Sequence, residues 1–214
     1  METRPARALI ICNGEAPSRA LSRKLARDSD LVIAADGGAN IARRFGIRPD
    51  FIIGDLDSIT QATRNYFRTS TFVRIARQDS TDLEKALSYA RQQHVKKVTL
   101  LAATGKRIDF TLGNLSVLWN FASRFELTVE TDDWLAIPIV GGLKLDVTKG
   151  STVSLIPFGL CSGITLSGLR FPLTNAVMRI GEIGVSNVAI RSTISVRVKR
   201  GKMLLIVFRR NRKA

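Results

Sequence analysis

The chain has 214 residues, with 33 Lys and Arg against 18 Asp and Glu, and its formal net charge is +15. The composition, 45% hydrophobic and 24% charged, is that of a folded protein and excludes a disordered or collagen-like chain. No apolar stretch approaches the roughly 18 residues that span a bilayer, and the run 8–12 is too short for a signal-peptide core. We expect a cytoplasmic protein of one large or two small domains.

The first 130 residues alternate short apolar runs with amphipathic segments. The predicted strands are Ala8–Cys12, Leu31–Ala35, Phe51–Ile53, Phe72–Ile75, Lys97–Leu101 and Leu127–Glu130. The predicted helices between them are Ser18–Ala26, Ala39–Phe45, Ile59–Phe67, Asp82–Gln93 and Thr111–Ser123. Alternation at this spacing predicts a mostly parallel sheet covered by helices on both faces.

The pattern changes after about Thr131 to short β-type segments separated by glycine-containing turns. The predicted strands are Leu135–Val140, Leu143–Val147, Thr152–Ile156, Gly163–Ser167, Ala189–Val198 and Met203–Phe208. Alternating polar and apolar residues in 192–198 are typical of antiparallel strands with one buried face. We predict two domains: a three-layer, Rossmann-like α/β domain over 1–130 and an all-β sandwich over 131–214.

The residue types narrow the possible chemistry. His94 is the only histidine, and Cys12 and Cys161 are far apart in sequence, so a His/Cys zinc site or a histidine-based triad is not expected. No acidic residue follows Glu182, so the end of the chain is strongly basic. A basic tail could attract nucleic acid, but interleaved aromatic residues are missing, which favours a solvated strand face.

Acidic residues follow the predicted N-terminal strands. Four loops after the second to fifth strands carry six aspartates, namely Asp36, Asp55, Asp57, Asp79, Asp82 and Asp109. The carboxyl ends of parallel strands meet at one edge of a sheet, where ligands bind in such folds. Carboxylates crowded together are stabilised by a cation, and oxygen ligands without nitrogen or sulfur favour Mg²⁺.

The same loops carry residues that suit a phosphate ligand. Gly37 and Gly38 would let backbone amides approach closely, and the helices that begin near Ala39 and Asp82 direct positive dipole ends to this edge. Lys106 and Arg107 could bind the oxygens of a polyphosphate. The residues predict a metal-dependent enzyme acting on a phosphorylated ligand.

These motifs resemble those of the thiamine pyrophosphokinase family in order and spacing. The four N-terminal motifs are Ala35–Asn40, Gly54–Ser58, Gln78–Ala86 and Gly105–Asp109. In the C-terminal part, Gly184–Asn187 resembles the family's β-domain motif and Gly201–Ile206 its closing strand. The resemblance covers the whole chain except the last few basic residues.

The resemblance implies transfer of diphosphate from ATP to the hydroxyl of thiamine, giving thiamine diphosphate and AMP. It implies a homodimer. The lack of a long apolar stretch argues against a membrane partner, and the six clustered aspartates argue against nucleic acid because they would repel phosphate without a metal. The metal ligands would be Asp55, Asp57 and Asp82, with Asp36, Asp79 and Asp109 in the same catalytic set. The ATP-binding residues would be Gly37, Gly38, Asn40, Thr104, Gly105, Lys106 and Arg107, and the thiamine-binding residues Gln78, Ser186 and Asn187.

Two departures leave alternatives open. The family commonly has Gly where this chain has Lys106, and His or Gln where it has Phe110. A phenyl ring makes no hydrogen bond, so a polar role at that position is lost or moved. A different heterocyclic alcohol, such as a hydroxymethylpterin, is the alternative acceptor, and a basic nucleic-acid-binding protein is the alternative of another class.

Overall fold

The computed structural model describes residues 6–77, 79–182 and 184–209 and divides the chain into two compact units at Thr131/Asp132. The strands of the first unit are β1 (Arg7–Ile11), β2 (Leu31–Ala35), β3 (Phe51–Gly54), β4 (Thr71–Arg74), β5 (Lys97–Leu101) and β6 (Glu126–Glu130). Its helices are α1 (Arg19–Arg27), α2 (Gly38–Phe45), α3 (Gln61–Tyr66), α4 (Asp82–Gln92) and α5 (Ile108–Phe121). No helix among the described residues is long and apolar enough to cross a membrane.

The six strands of the first unit form a parallel sheet in the order β4-β3-β2-β1-β5-β6. Leu9 and Ile11 of β1 pack in a cluster with Ala39 and Ile41 of α2, whereas α4 packs against β1, β2 and β3 with buried residues outside that cluster. Every residue of β2 is buried, as expected of a strand covered on both faces. The predicted α/β architecture is confirmed.

Local signals fix the ends of the helices. Thr81 caps α4 in a full capping box, since its hydroxyl accepts from the Glu84 amide and Glu84 accepts from the Thr81 amide. Gly46 ends α2 in the left-handed conformation with φ 64°. Helix α5 begins at Ile108, three residues before the predicted start, which places Asp109 in its first turn.

The second unit is built from antiparallel strands. They are β7 (Trp134–Asp146), β8 (Thr152–Pro157), β9 (Cys161–Ser167), β10 (Leu173–Met178), β11 (Asn187–Val188) and β12 (Thr193–Phe208). β12 pairs with β7 along its length, and its first half also pairs with β9 while its second half pairs with β8. Buried residues of β7, β8, β9, β10 and β12 share one core, as expected of a sandwich.

Two strand boundaries differ from the sequence prediction. Gly141 and Gly142 were expected to separate two strands, but both lie inside β7. Arg200 and Gly201 were likewise expected to form a turn, but both lie inside β12. The β7–β12 register shifts between Val198 and Met203, beside the glycines of β7, and β12 changes its outer partner from β9 to β8 there. These glycines therefore mark a bulge in a long antiparallel strand pair rather than turns. The sequence patterns also missed β10 and β11.

Candidate active site at the carboxyl edge of the sheet

In the strand order, β1 lies between β2 and β5. The connection after β1 runs to one side, toward β2, and the connection after β5 runs to the other side, toward β6, so a crevice lies between the ends of β1 and β5. Ligands bind at this switch point in open α/β sheets. The two loops are joined here, because the Gly14 amide donates to the Ala102 carbonyl and the Glu15 amide to the Thr104 carbonyl, each at 2.7 Å. The loop after β1 therefore belongs to the candidate site, although the sequence analysis did not assign it.

Three aspartates converge beside this crevice. Asp36 follows β2, and Asp55 and Asp57 follow β3. One carboxylate oxygen of each lies within 4.8 Å of the others. Asp36 is only 4% exposed, and its Oδ1 has no hydrogen-bond partner among the described residues. Burial raises the pKa of the Asp36 carboxyl, and the negative charges of Asp82 and Asp55 raise it further, while hydrogen bonds from Ser58 and the Gly37 amide offset part of the shift.

Asp82 lies beside these three carboxylates but outside the set within 4.8 Å. A Cβ added to Gly54 would lie 2.8 Å from Asp36 Cβ and 3.0 Å from Asp82 Oδ1. The absence of a side chain at Gly54 therefore leaves room for both aspartates to pack against the end of β3. The Lys85 ammonium is 3.0 Å from Asp82 Oδ1. The structure thus groups Asp36, rather than Asp82, most closely with Asp55 and Asp57.

Basic groups flank the other side of the crevice. The Lys106 ammonium donates to the Asn13 carbonyl at 2.8 Å, and Arg107 forms an exposed ion pair with Asp109. The hydrogen bond from Arg107 lowers the pKa of Asp109 and raises the pKa of Arg107. The Gly105 amide donates to the Thr111 hydroxyl at 3.0 Å. The loop after β5 therefore carries two cations at the same edge of the sheet as the acidic cluster.

The backbone of these loops is strained. Four non-glycine residues at the carboxyl edge have left-handed φ angles, namely Asp36 (41°), Leu56 (70°), Ala102 (52°) and Lys106 (58°). Such conformations cost about 1–3 kcal/mol each and cluster at functional sites.

The two glycines after β2 have a packing role that was not predicted. A Cβ at Gly38 would lie 1.9 Å from the Ile11 carbonyl oxygen, and one at Gly37 would lie 2.3 Å from Asn13 Nδ2. These glycines therefore allow α2 to start directly against the end of β1. Asn40 also has a local partner, because its amide donates to the Ser58 carbonyl at 2.9 Å. A contact of these three residues with a nucleotide stays a prediction.

Of the predicted thiamine-binding residues, the structure describes Ser186 and Asn187, whose hydrogen bonds lie within the β-rich unit. Gln78 lies outside the described residues, while its neighbour Asp79 forms an exposed ion pair with Arg77. Asn187 is buried, and its amide exchanges hydrogen bonds with the backbone of Phe171. The Ser186 amide donates to the Ser154 hydroxyl at 3.1 Å. Their roles toward thiamine stay predictions.

A cavity of 110 Å³ joins the loops after β1, β2 and β3 to α4 and α5. Its lining includes residues that were not predicted as site residues: Cys12, Asn13, Ser58, Thr81, Phe110 and Asn114. Burial, with a smaller contribution from Asp82, raises the pKa of the Cys12 thiol to about 12, so it stays protonated and is not a nucleophile. The strand order is the feature that would have identified these lining residues, because it brings the residues after β1 beside those after β5.

Comparison with known proteins identifies both units of the chain. The family "Thiamin pyrophosphokinase, catalytic domain" matches residues 22–130, and "Thiamin pyrophosphokinase, vitamin B1 binding domain" matches residues 142–203. Thiamine pyrophosphokinase 2 of Arabidopsis thaliana is 31% identical over 88% of this chain and 81% of its own length. The thiamine pyrophosphokinase of Bacillus subtilis is 28% identical over 82% of this chain and 86% of its own.

The fold is shared with solved structures as well. The crystal structure of thiamine pyrophosphokinase from Bacillus subtilis matches with a TM-score of 0.83 at 24% identity, covering 95% of this chain and 99% of that chain. On the two family matches and the relatives, the chain belongs to the thiamine pyrophosphokinase family, whose members transfer diphosphate from ATP to thiamine.

Proposed function

We propose that the carboxyl edge of the parallel sheet binds ATP with a divalent cation and transfers diphosphate to the hydroxyl of thiamine. One observation carries the assignment of the site: Asp36, Asp55 and Asp57 converge, and the buried Asp36 Oδ1 has no hydrogen-bond partner among the described residues. A buried anionic oxygen without a partner is costly, so the fold gains from a cation at this point.

The donor set fits Mg²⁺. Its three closest groups are carboxylates, and Mg²⁺ uses one or two carboxylates together with water and substrate phosphate. Asp82, next to the cluster, is the fourth available carboxylate. When bound, the cation would neutralise charge on the phosphate oxygens of ATP. We assign Asp55 and Asp57 as ligands, as predicted from the sequence, and add Asp36.

Basic residues of the chain bind and orient the phosphates in this proposal. Lys106 and Arg107 belong to the loop after β5, at the same edge of the sheet as the acidic cluster, and can hold the oxygens that the aspartates would repel. Their positive charge also stabilises the charge that accumulates on AMP as the bond to its phosphate breaks. When these two residues hold the phosphates of ATP in place, the β-phosphorus stays open to in-line attack by the thiamine hydroxyl.

The proton of the thiamine hydroxyl leaves late, when its oxygen is already bonding to phosphorus. Asp82 and Asp109 are the candidate acceptors, and each is already paired with a cation, Lys85 and Arg107 respectively. That pairing lowers the pKa of Asp109, which makes it a weak base in the free protein.

The β-rich unit supplies the remaining functions in this proposal, namely thiamine binding and formation of a cytoplasmic homodimer. Its match to the vitamin B1 binding domain supports the first. Large apolar side chains exposed on it support the second, among them Phe171 (63%), Ile180 (73%) and Val185 (54%). Light scattering tests this directly, since a monomeric mass at micromolar concentration would contradict the dimer.

The reaction is tested by its nucleotide product. Purified protein with ATP, Mg²⁺ and thiamine should release AMP and thiamine diphosphate, and chelation of the metal with EDTA should stop the reaction. Release of ADP would show transfer of a single phosphoryl group and contradict the proposal. A hydroxymethylpterin offered in place of thiamine should give little AMP, because the relatives that match this chain are named for thiamine.

A further inference from the structure

Arg107 and Phe110, at the start of α5, form a stacked pair. The guanidinium carbon of Arg107 lies 4.4 Å from the centre of the Phe110 ring. Arg107 also donates to both carboxylate oxygens of Asp109, with Nε 3.1 Å from Oδ1, and this fork fixes the plane of the guanidinium. Phe110 is nevertheless 53% exposed. An aromatic surface is therefore open to solvent beside Asp36 and Asp82.

The size of the adjoining cavity limits what it can hold. Phe110 lines the 110 Å³ cavity together with Asp36 and Asp82. Pockets that enclose a whole small molecule measure about 300 Å³ or more. The cavity thus has room for a cation and phosphate groups, and the nucleoside attached to them must lie outside, along the rim. The exposed parts of Phe110 and Arg107 form an aromatic and planar surface for a ring next to that rim.

We propose that Arg107 and Phe110 form the stacking platform for the base of the nucleotide donor, an inference that rests on the proposed diphosphate transfer. A neutral purine or pyrimidine stacks well on a phenyl ring or a guanidinium plane. The thiazolium ring of thiamine is a cation, and one face of the Phe110 ring already holds the guanidinium of Arg107. A neutral base can stack on this pair without bringing a second cation to it, which favours the donor's base over the acceptor's ring.

The chemistry of Phe110 also sets the selectivity of the platform. A phenyl ring neither donates nor accepts a hydrogen bond, so it cannot distinguish the edges of adenine from those of guanine or cytosine. Stacking is tolerant of base identity because every base has a π-face. The enzyme should therefore accept ATP, GTP and CTP as diphosphate donors with kcat/KM values within roughly tenfold of one another.

The steady-state experiment compares Phe110→Ala, Phe110→Trp and the control Leu112→Ala with the wild type. Leu112 is as exposed as Phe110, at 56%, lies on the same helix and does not line the cavity. Phe110→Ala should raise the KM for ATP roughly tenfold and leave the KM for thiamine unchanged. Phe110→Trp should keep or lower the KM for ATP, and Leu112→Ala should change neither KM.

A binding measurement separates this inference from the proposed reaction. Titration of Phe110→Trp with AMP, without thiamine, should quench its fluorescence beyond any change in the wild type. This signal remains readable even if the wild type releases no AMP from ATP and thiamine, a result that would remove the proposed function. An increase only in the KM for thiamine, unchanged KM values in Phe110→Ala, or more than about 100-fold preference for ATP would each overturn the platform.

Discussion

The ammonium of Lys85 lies 3.0 Å from the carboxylate of Asp82, and the Lys85 side chain is only 4% exposed. Both residues belong to the first turn of α4, and Asp82 is one of the charges that raise the pKa of Asp36. The ammonium is therefore a fixed countercharge at the edge of the acidic cluster. It compensates Asp82, so that fewer negative charges oppose folding in the absence of a cation.

Replacement of Lys85 by Met should show how much the Asp82 charge destabilises the protein when it has no countercharge. We expect Lys85→Met to lower the free energy of unfolding by about 1–3 kcal/mol, because Asp82 would keep its charge without a nearby partner. The added change Asp82→Asn should recover part of the loss, since it removes the remaining charge. Urea unfolding of both variants in EDTA measures the coupling between the two residues.

Lys24 provides the matched control for this experiment. Its ammonium lies 3.7 Å from Asp28 on α1, with side chains 67% and 54% exposed. Because solvent screens such a pair, Lys24→Met should change stability by less than about 0.5 kcal/mol. Equal losses in Lys85→Met and Lys24→Met would show that the buried pair at the acidic cluster is no more important than a surface one.

Replacement of Asp57 by Asn should separate catalysis from folding. Asp57 is exposed, and the Ser58 hydroxyl donates to its Oδ1 at 2.9 Å, an interaction that Asn can keep. We expect AMP formation to fall on the order of 100-fold, because one anionic metal ligand is lost. Stability in EDTA should change by less than about 0.5 kcal/mol. Asp28→Asn should leave turnover at the wild-type level, and an active Asp57→Asn enzyme would remove Asp57 from the metal site.

The acidic part of the site was predictable from the sequence because Asp36 and Asp55 directly follow apolar strands. The strands before Asp36 and Asp55 were identified from local pattern, and parallel pairing then brings their ends together. The loop after β1 was missed because Asn13 and Gly14 carry no charge, and their importance depends on β1 pairing with β5. Such a pairing is a non-local property that hydrophobic periodicity does not encode.

The β-rich unit shows a different limit of sequence patterns. Gly141 and Gly201 lie inside continuous strands, where the antiparallel β7–β12 pair contains a bulge. Glycines that signal a turn in the local sequence therefore occur within a strand. Strand β10 was missed because Asn175, with φ 51°, interrupts its alternation, and β11 was missed because it has only two residues. In both strands the partner, rather than the local sequence, determines the structure.

The raised pKa of Asp36 predicts how stability depends on pH. The folded state binds the Asp36 proton more tightly than the unfolded state does, so this group lowers stability as the pH rises from about 3.9 through its folded pKa. Asp36→Asn should remove that loss and raise the melting temperature in EDTA above the folded pKa. Mg²⁺ should stabilise the wild type more than this variant. Equal melting curves at neutral pH in EDTA would contradict a buried carboxylate under charge repulsion.

Two glycine substitutions test the close approach of α2 to β1. A Cβ at Gly38 would lie 1.9 Å from the Ile11 carbonyl oxygen, which is backbone and cannot move aside cheaply, so Gly38→Ala should destabilise the protein by more than about 2 kcal/mol. Gly113 lies within α5 with no atom within 4 Å of its added Cβ. Gly113→Ala should instead stabilise by about 0.5–1 kcal/mol, because alanine loses less backbone entropy on folding. Thermal unfolding of the pair measures both, and a Gly38→Ala protein as stable as the wild type would show that α2 can move away from β1.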